Sequence, residues 1–168
     1  MKRLMTKRKI HAQRKTQWGP IIIIIIIAAI ILIGAGSFFL FAPTEVTAIT
    51  VNAQPISADQ LDQGQQVYAA NCAACHGPAG EGQLNWRQPD ANGVFPAPPH
   101  DSSGHTWHHP DQQLLQIIAQ GGSMPGSTML AYKGQLTEAE MIAVLAYIKT
   151  FWGPQESQFQ AEVTKQVQ

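Results

Sequence analysis

Five consecutive residues, Cys72-Ala73-Ala74-Cys75-His76, hold the chain's only two cysteines, and no other stretch constrains the fold as much. Cys-x-x-Cys-His is the pattern for covalent attachment of a c-type haem. Each thiol adds to one vinyl group of the macrocycle, and a two-residue gap lets a single helical turn span the distance between the vinyls. Positions three and four apart share a helix face, so Cys72, Cys75 and His76 project together while Ala73 and Ala74 leave room for the ring. His76 would then supply the proximal nitrogen to iron.

Other uses of a Cys-x-x-Cys pair fit poorly. Half a zinc site needs further partners, and the chain has no third cysteine. A thioredoxin-like redox pair expects a strand-helix-strand context that is missing here. A disulfide across two residues of a helix would hold its Cα atoms in strained geometry.

The zero net charge is an average over two opposite segments. Residues 1–41 carry seven bases and no acid, whereas four bases against eleven acids from residue 42 onward give −7. Ile21 to Phe41 is an uncharged apolar run of 21 residues, long enough as a helix to span about 31 Å of bilayer core. Trp18 stands where an interfacial aromatic belongs, and Gly19-Pro20 opens the helix. Clustered Lys and Arg stay on the cytoplasmic side, so everything after Pro43 is expected outside. A cleaved signal peptide is the other reading, with small residues from Gly34 to Ser37, but the apolar core is long for one. The expected order is a basic cytoplasmic segment (1–19), a single transmembrane helix (20–41), a polar linker (42–56), a helical domain (57–153) and a flexible polar tail (154–168).

Within the domain, Ser57 and Gln60 make a capping box for a helix to about Asn71, with Leu61, Gly64, Val67 and Tyr68 on one face. Gly77 to Gly82 breaks the helix after His76, and residues 84–104, rich in Pro, Gly, Asn and Asp, read as a long loop covering one edge of the haem. His100, His105, His108 and His109 cluster here. A second metal site, copper for example, or a histidine as sixth iron ligand is one reading. Their spacing fits no standard ligand motif, which favours polar loop residues leading into a helix, with Trp107 packed against the haem edge. His109 or Asp111 is expected to cap that helix, whose apolar face is Leu114, Leu115, Ile117 and Ile118 and which stops at Gly121-Gly122. Thr137 and Glu140 form a second capping box for the final helix, lined by Met141, Val144, Leu145, Ile148, Phe151 and Trp152, with Gly153-Pro154 as its end.

From about Ser57 to Trp152 the chain resembles the class I mono-haem c-type cytochromes, and among them the membrane-anchored ones of bacterial respiratory chains. The resemblance is carried by Gly64-x-x-x-Tyr68-x-x-x-Cys72-x-x-Cys75-His76, by a methionine followed by Ala131-Tyr132, and by Ala143-Val144-Leu145-Ala146-Tyr147-Ile148-Lys149. It implies a small all-α fold wrapped round one covalent haem c with His and Met axial ligands, and haem attachment outside the cytoplasm. It also implies that the last helix crosses the first at Gly64. A proline carbonyl, from Pro98 or Pro99, is implied as acceptor for the other ring nitrogen of His76. Trp107 and Tyr132 join these prolines as pocket residues.

A methionine sulfur as sixth ligand raises the reduction potential and marks an electron-transfer haem. Met124 and Met129 both lie in the loop before the last helix. The family's spacing to that helix is matched by Met129-Leu130-Ala131-Tyr132, so Met129 is preferred and Met124 is the alternative, with Leu130 departing from the proline common there. No paired carboxylates, activated nucleophile, phosphate loop or basic nucleic-acid face is present. The expected function is therefore an electron carrier rather than an enzyme, serving redox partners with basic docking surfaces or a respiratory complex. The competing reading is a haem-based catalytic or gas-binding module with an open sixth position.

Overall fold

The computed structural model describes residues 21–31 and 48–167. The chain falls into two units, Met1–Val46 and Thr47–Gln168, taken here one at a time. In the first, residues 21–31 form helix α1 with every side chain exposed, the isoleucines to between 51% and 66%. Among the described residues no helix is long and apolar enough to cross a membrane. The expected span of 20–41 extends beyond α1 on both sides, and its remainder, like the basic segment 1–19, lies outside the described residues.

The second unit is helical, as expected from its capping signals. Helix α2 (Ala58–Asn71) opens with the Ser57/Gln60 capping box, and α5 (Glu138–Lys149) with the Thr137/Glu140 box, each with both reciprocal bonds formed. These bonds satisfy backbone N–H groups that a helix start otherwise leaves unpaired. Between them lie the single turn α3 (Ala73–His76), a 3-10 turn at Thr106–His108 and α4 (Asp111–Gln120). Helices α2 and α5 make the central crossing. Val67 and Tyr68 of α2 and Val144, Leu145 and Ile148 of α5 are buried in one cluster with Leu114 and Ile118 of α4, Tyr132 and Trp152. Gly64 marks the point of closest approach: a Cβ there would run into the Ala143 carbonyl oxygen and lie 2.6 Å from its carbon.

Three sequence expectations change. The linker 42–56 is not polar tether throughout, because Thr50–Val51 (β1) and Gln54–Pro55 (β2) pair antiparallel and Val51 is buried against α5. Neither His109 nor Asp111 caps α4. Pro110 is its N-cap and makes no side-chain bond, while Asp111 turns inward. The flexible polar tail is, from Pro154 to Lys165, helix α6, started by Gly153 and by Pro154 at its first position.

The last two changes share one cause. Asp111 and Lys149 form a buried ion pair, Nζ to Oδ1 2.6 Å. Lys149 also donates to the Thr50 carbonyl (2.7 Å) and to Gln160 Oε1 (3.1 Å). Gln160 Nε2 donates to Asp111 Oδ1 (2.7 Å), the Asn52 N–H to Asp111 Oδ2 (2.8 Å), and the Asp111 N–H to Thr164 Oγ1 (3.1 Å). Helix α6 thus buries a polar face, Gln160 and Thr164, which hydrophobic periodicity does not reveal. Burial pushes the Lys149 ammonium below its usual range, and the neighbouring Asp111 carboxylate opposes that shift.

Removing one partner of such a pair strands a buried charge, at a cost of about 3–5 kcal/mol. Lys149→Met is therefore expected to lower stability to urea by about 3 kcal/mol, and Asp111→Leu in the same chain to restore part of it. A single variant within about 1 kcal/mol of wild type, the level of an exposed ion pair, would contradict the hub.

Candidate functional site

The Cys-x-x-Cys-His run sits where α2 turns into α3. Cys72 closes α2, its N–H bonded to the Tyr68 carbonyl at 2.8 Å, and its own carbonyl accepts from the N–H groups of Cys75 (3.1 Å) and His76 (2.9 Å). One backbone carbonyl therefore winds both cysteines and the histidine into a single turn. Cys72 is half-buried and Cys75 exposed, and no disulfide joins them. Burial, and secondarily the neighbouring Cys75, pushes the Cys72 thiol up to about 11. Among the described residues no three Cys, His, Asp or Glu side chains converge as a metal site.

His76 is buried, and its Nδ1 lies 2.8 Å from the Pro98 carbonyl oxygen. A carbonyl only accepts, so Nδ1 carries the proton and Nε2 keeps its lone pair for a metal. Burial pushes the imidazole below its usual range, and the Pro98 bond opposes that shift. Of the two candidate prolines, Pro98 takes the His76 bond, whereas the Pro99 carbonyl accepts from Thr106 Oγ1 at 3.4 Å. The long loop reaches His76 because it is fastened to the turn after α3: Gly82 N to His76 O 2.7 Å, Gln83 N to Ala97 O 2.9 Å and His100 N to Gly80 O 2.7 Å. Gly82 is required there, since a Cβ would lie 2.5 Å from the Pro99 nitrogen.

The methionine loop runs between α4 and α5. It is tied to the end of α4 by Gly122 N to Met129 O (3.2 Å), Tyr132 N to Ile118 O (3.1 Å) and Lys133 N to Ala119 O (3.0 Å). Phe95 N to Gly126 O, 3.0 Å, joins it to the long loop. Met129 packs on the core cluster, whereas Met124 is 64% exposed on a turn closed by the Ser127 N–H. Tyr132 is buried and donates to the Asn71 carbonyl at 2.6 Å; burial, then Cys72 and Cys75, raises its hydroxyl above its usual range.

The four histidines divide. His105 stacks on Trp86 (5.4 Å between ring centroids), His108 lies against Trp107 (3.8 Å), and the His109 carbonyl accepts from Gln160 at 3.2 Å. His100 alone joins the site, its ring stacked on that of His76 with centroids 4.0 Å apart. Burial first, then the neighbouring His76 and His105, holds it well below the usual imidazole range. Sequence reasoning grouped it with the other three, and position two residues beyond the Pro98 acceptor was the available signal.

These residues fit a haem. Both thiols and an imidazole with a free Nε2 share one turn, and the large apolar side chain of Leu130 is left 65% exposed beside Met129. The buried Trp107 indole N–H finds no acceptor among the described residues, and a propionate is an acceptor of suitable charge.

A sequence profile of the cytochrome c family matches residues 61–152, just over half of the chain. Two Rhodobacter capsulatus sequences, each a cbb3-type cytochrome c oxidase subunit CcoP, are 28% and 29% identical to it over 112 residues, covering 64% of this chain and 34% of theirs. The chain spans about a third of the length of these curated relatives. With the family's defining region running from α2 through the motif, both loops and α5, the chain belongs to the cytochrome c family, and its cofactor is a covalently attached haem c.

Proposed function

We propose that this chain is a membrane-anchored, mono-haem class I cytochrome that passes single electrons between respiratory redox partners on the extracytoplasmic side. Cys72 and Cys75 carry the thioether bonds, and His76 and Met129 are the axial ligands. The observation that carries this reading is the His76 Nδ1 to Pro98 O bond of 2.8 Å on the turn that bears both cysteines, because it leaves the other ring nitrogen with its lone pair free for iron. A bound haem supplies an iron that changes charge by one electron.

The chain's part is to hold the ring and exclude water from it. Pro98 fixes the tautomer of His76 and Met129 offers a sulfur from a loop braced on α4, while Tyr132, bonded to the Asn71 carbonyl beside the motif, and Trp107, with its unpaired indole N–H, would border the ring. With both axial positions filled from the chain, substrate does not reach the metal, which leaves electron transfer as the chemistry. Membrane attachment rests on the apolar run 21–41 and the basic residues before it.

Residues 48–167 carry ten carboxylates against four cations, and burial of the Asp111–Lys149 pair leaves nine against three. A partner with a basic docking surface suits this charge, and association should weaken as salt is added. The likeness to an oxidase subunit supports a respiratory oxidase as that partner's setting.

Replacing Met129 and Met124 separately by alanine tests the ligand set. Met129→Ala is expected to lose the weak far-red sulfur-to-iron band of the oxidised protein and to lower the reduction potential, while Met124→Ala keeps both. Loss of the band in Met124→Ala alone would move the ligand to that residue. A high-spin spectrum from the unaltered protein would point to an open sixth position.

A further inference from the structure

A hydrogen bond at Nδ1 is a single point of restraint on the His76 ring. It sets which nitrogen is protonated but tolerates tens of degrees of swing, because the bond weakens steeply only at large misalignment. The orientation of the ring plane therefore needs a second restraint, and the structure contains one. The His100 ring lies 4.0 Å from that of His76, centroid to centroid, with only 20° between the planes.

His100 is itself held on three sides. Its N–H donates to Gly80 O (2.7 Å), its carbonyl accepts from Trp152 Nε1 (2.8 Å), and its ring Nδ1 is 2.9 Å from Thr106 Oγ1. Thr106 passes its own hydrogen to the Pro99 carbonyl at 3.4 Å, so it accepts from a protonated His100 Nδ1. A leucine at this position would fill the same space, but it would present no flat face and no donor to stop its own rotation. Two consecutive prolines fix the backbone that presents these parts, Pro98 taking His76 and Pro99 taking Thr106, the clamp of His100.

We propose that His100 is a positioning residue for His76, a clamped stacking platform that sets the direction in which the plane of the iron-ligating imidazole lies. This rests on the reading of His76 as an axial ligand. The plane of that imidazole determines how unpaired spin spreads over the ring of a ferric low-spin haem, and the proton NMR shifts of the four haem methyl groups report it directly.

The test compares the haem-loaded full chain with His100→Ala, His100→Phe and Thr106→Val. His100→Ala should change the order of the haem-methyl shifts, His100→Phe should keep the wild-type order because it keeps a flat face, and Thr106→Val should move the shifts in the same direction as His100→Ala but less. A role in packing alone would lower the melting temperature of His100→Ala and leave the methyl order untouched, which would overturn the proposal. So would an identical change in His100→Ala and His100→Phe. If His100→Ala does not fold, an unaltered pattern in Thr106→Val overturns it instead. A wild-type ferric protein without low-spin methyl shifts would show an open sixth position, a failure of the proposed ligand set recognised before any variant is compared, and the same variants are then judged by the methyl order of their low-spin cyanide-bound forms.

Discussion

Replacing Cys72 and Cys75 together by serine is expected to yield a chain from which acid-acetone extraction removes all haem, whereas the unaltered protein keeps its haem as a mass adduct. Serine keeps the size and the turn geometry, since the bonds that wind α3 are backbone ones, Cys75 N and His76 N to Cys72 O. What disappears is the pair of thioether links. Only the proposed ligands, His76 and Met129, would then hold the ring, and neither can prevent exchange with solution. The loss should reach beyond the cofactor, because half-buried Cys72, Ala73, Met129 and Leu136 pack on the core cluster and would border an unfilled crevice. Each buried apolar group left without a partner costs transfer and cavity energy of roughly 1–3 kcal/mol, against a total stability of about 5–15 kcal/mol. Haem surviving extraction in the double variant would refute attachment at these positions. Cys75→Ser alone should retain the haem through its remaining link.

Gly64→Val should prevent the domain from folding. Taken alone, α2 would gain from losing a mid-helix glycine, by about 1 kcal/mol for the change to alanine. The crossing with α5 decides the sign. Any Cβ at position 64 meets the Ala143 carbonyl and comes to 3.0 Å from Tyr147 Cβ, and a backbone carbonyl cannot swing aside as a side-chain end can. Relief requires the two helices to separate, which would open the contacts of Val67 and Tyr68 with Val144 and Leu145. The expected loss exceeds about 4 kcal/mol, the range reached only by a few severe mechanisms. Circular dichroism and haem incorporation should both fall, and Gly64→Ala should already be destabilised despite its better propensity. A stable, haem-loaded Gly64→Ala would show that the crossing is looser than described.

The parts of the fold that were legible in the sequence are those written in local chemistry. Ser57/Gln60 and Thr137/Glu140 mark helix starts because a capping box is complete within four residues. Cys72, Cys75 and His76 read as one turn for the same reason. Helix α6 escaped because its buried face is Gln160 and Thr164, satisfied by Asp111 and Lys149 some 50 and 11 residues away from Gln160, and no local pattern announces a partner at that distance. The hairpin at Thr50–Pro55 escaped likewise, with a single buried valine and a lysine from α5 holding it. At the site, the choice between Pro98 and Pro99 turned on loop geometry, and His100 was hidden among three other histidines that do unrelated things.

The hub around Lys149 has one more consequence. The first strand of the domain and its last helix both terminate on the same carboxylate and ammonium, reached through Thr50 and Asn52 from one side and Gln160 and Thr164 from the other. Neither extremity can peel away without uncovering a charge that the opposite extremity helps to shield. The polypeptide is linear, yet its cooperative unit behaves like a closed loop with no loose edge from which unravelling would begin.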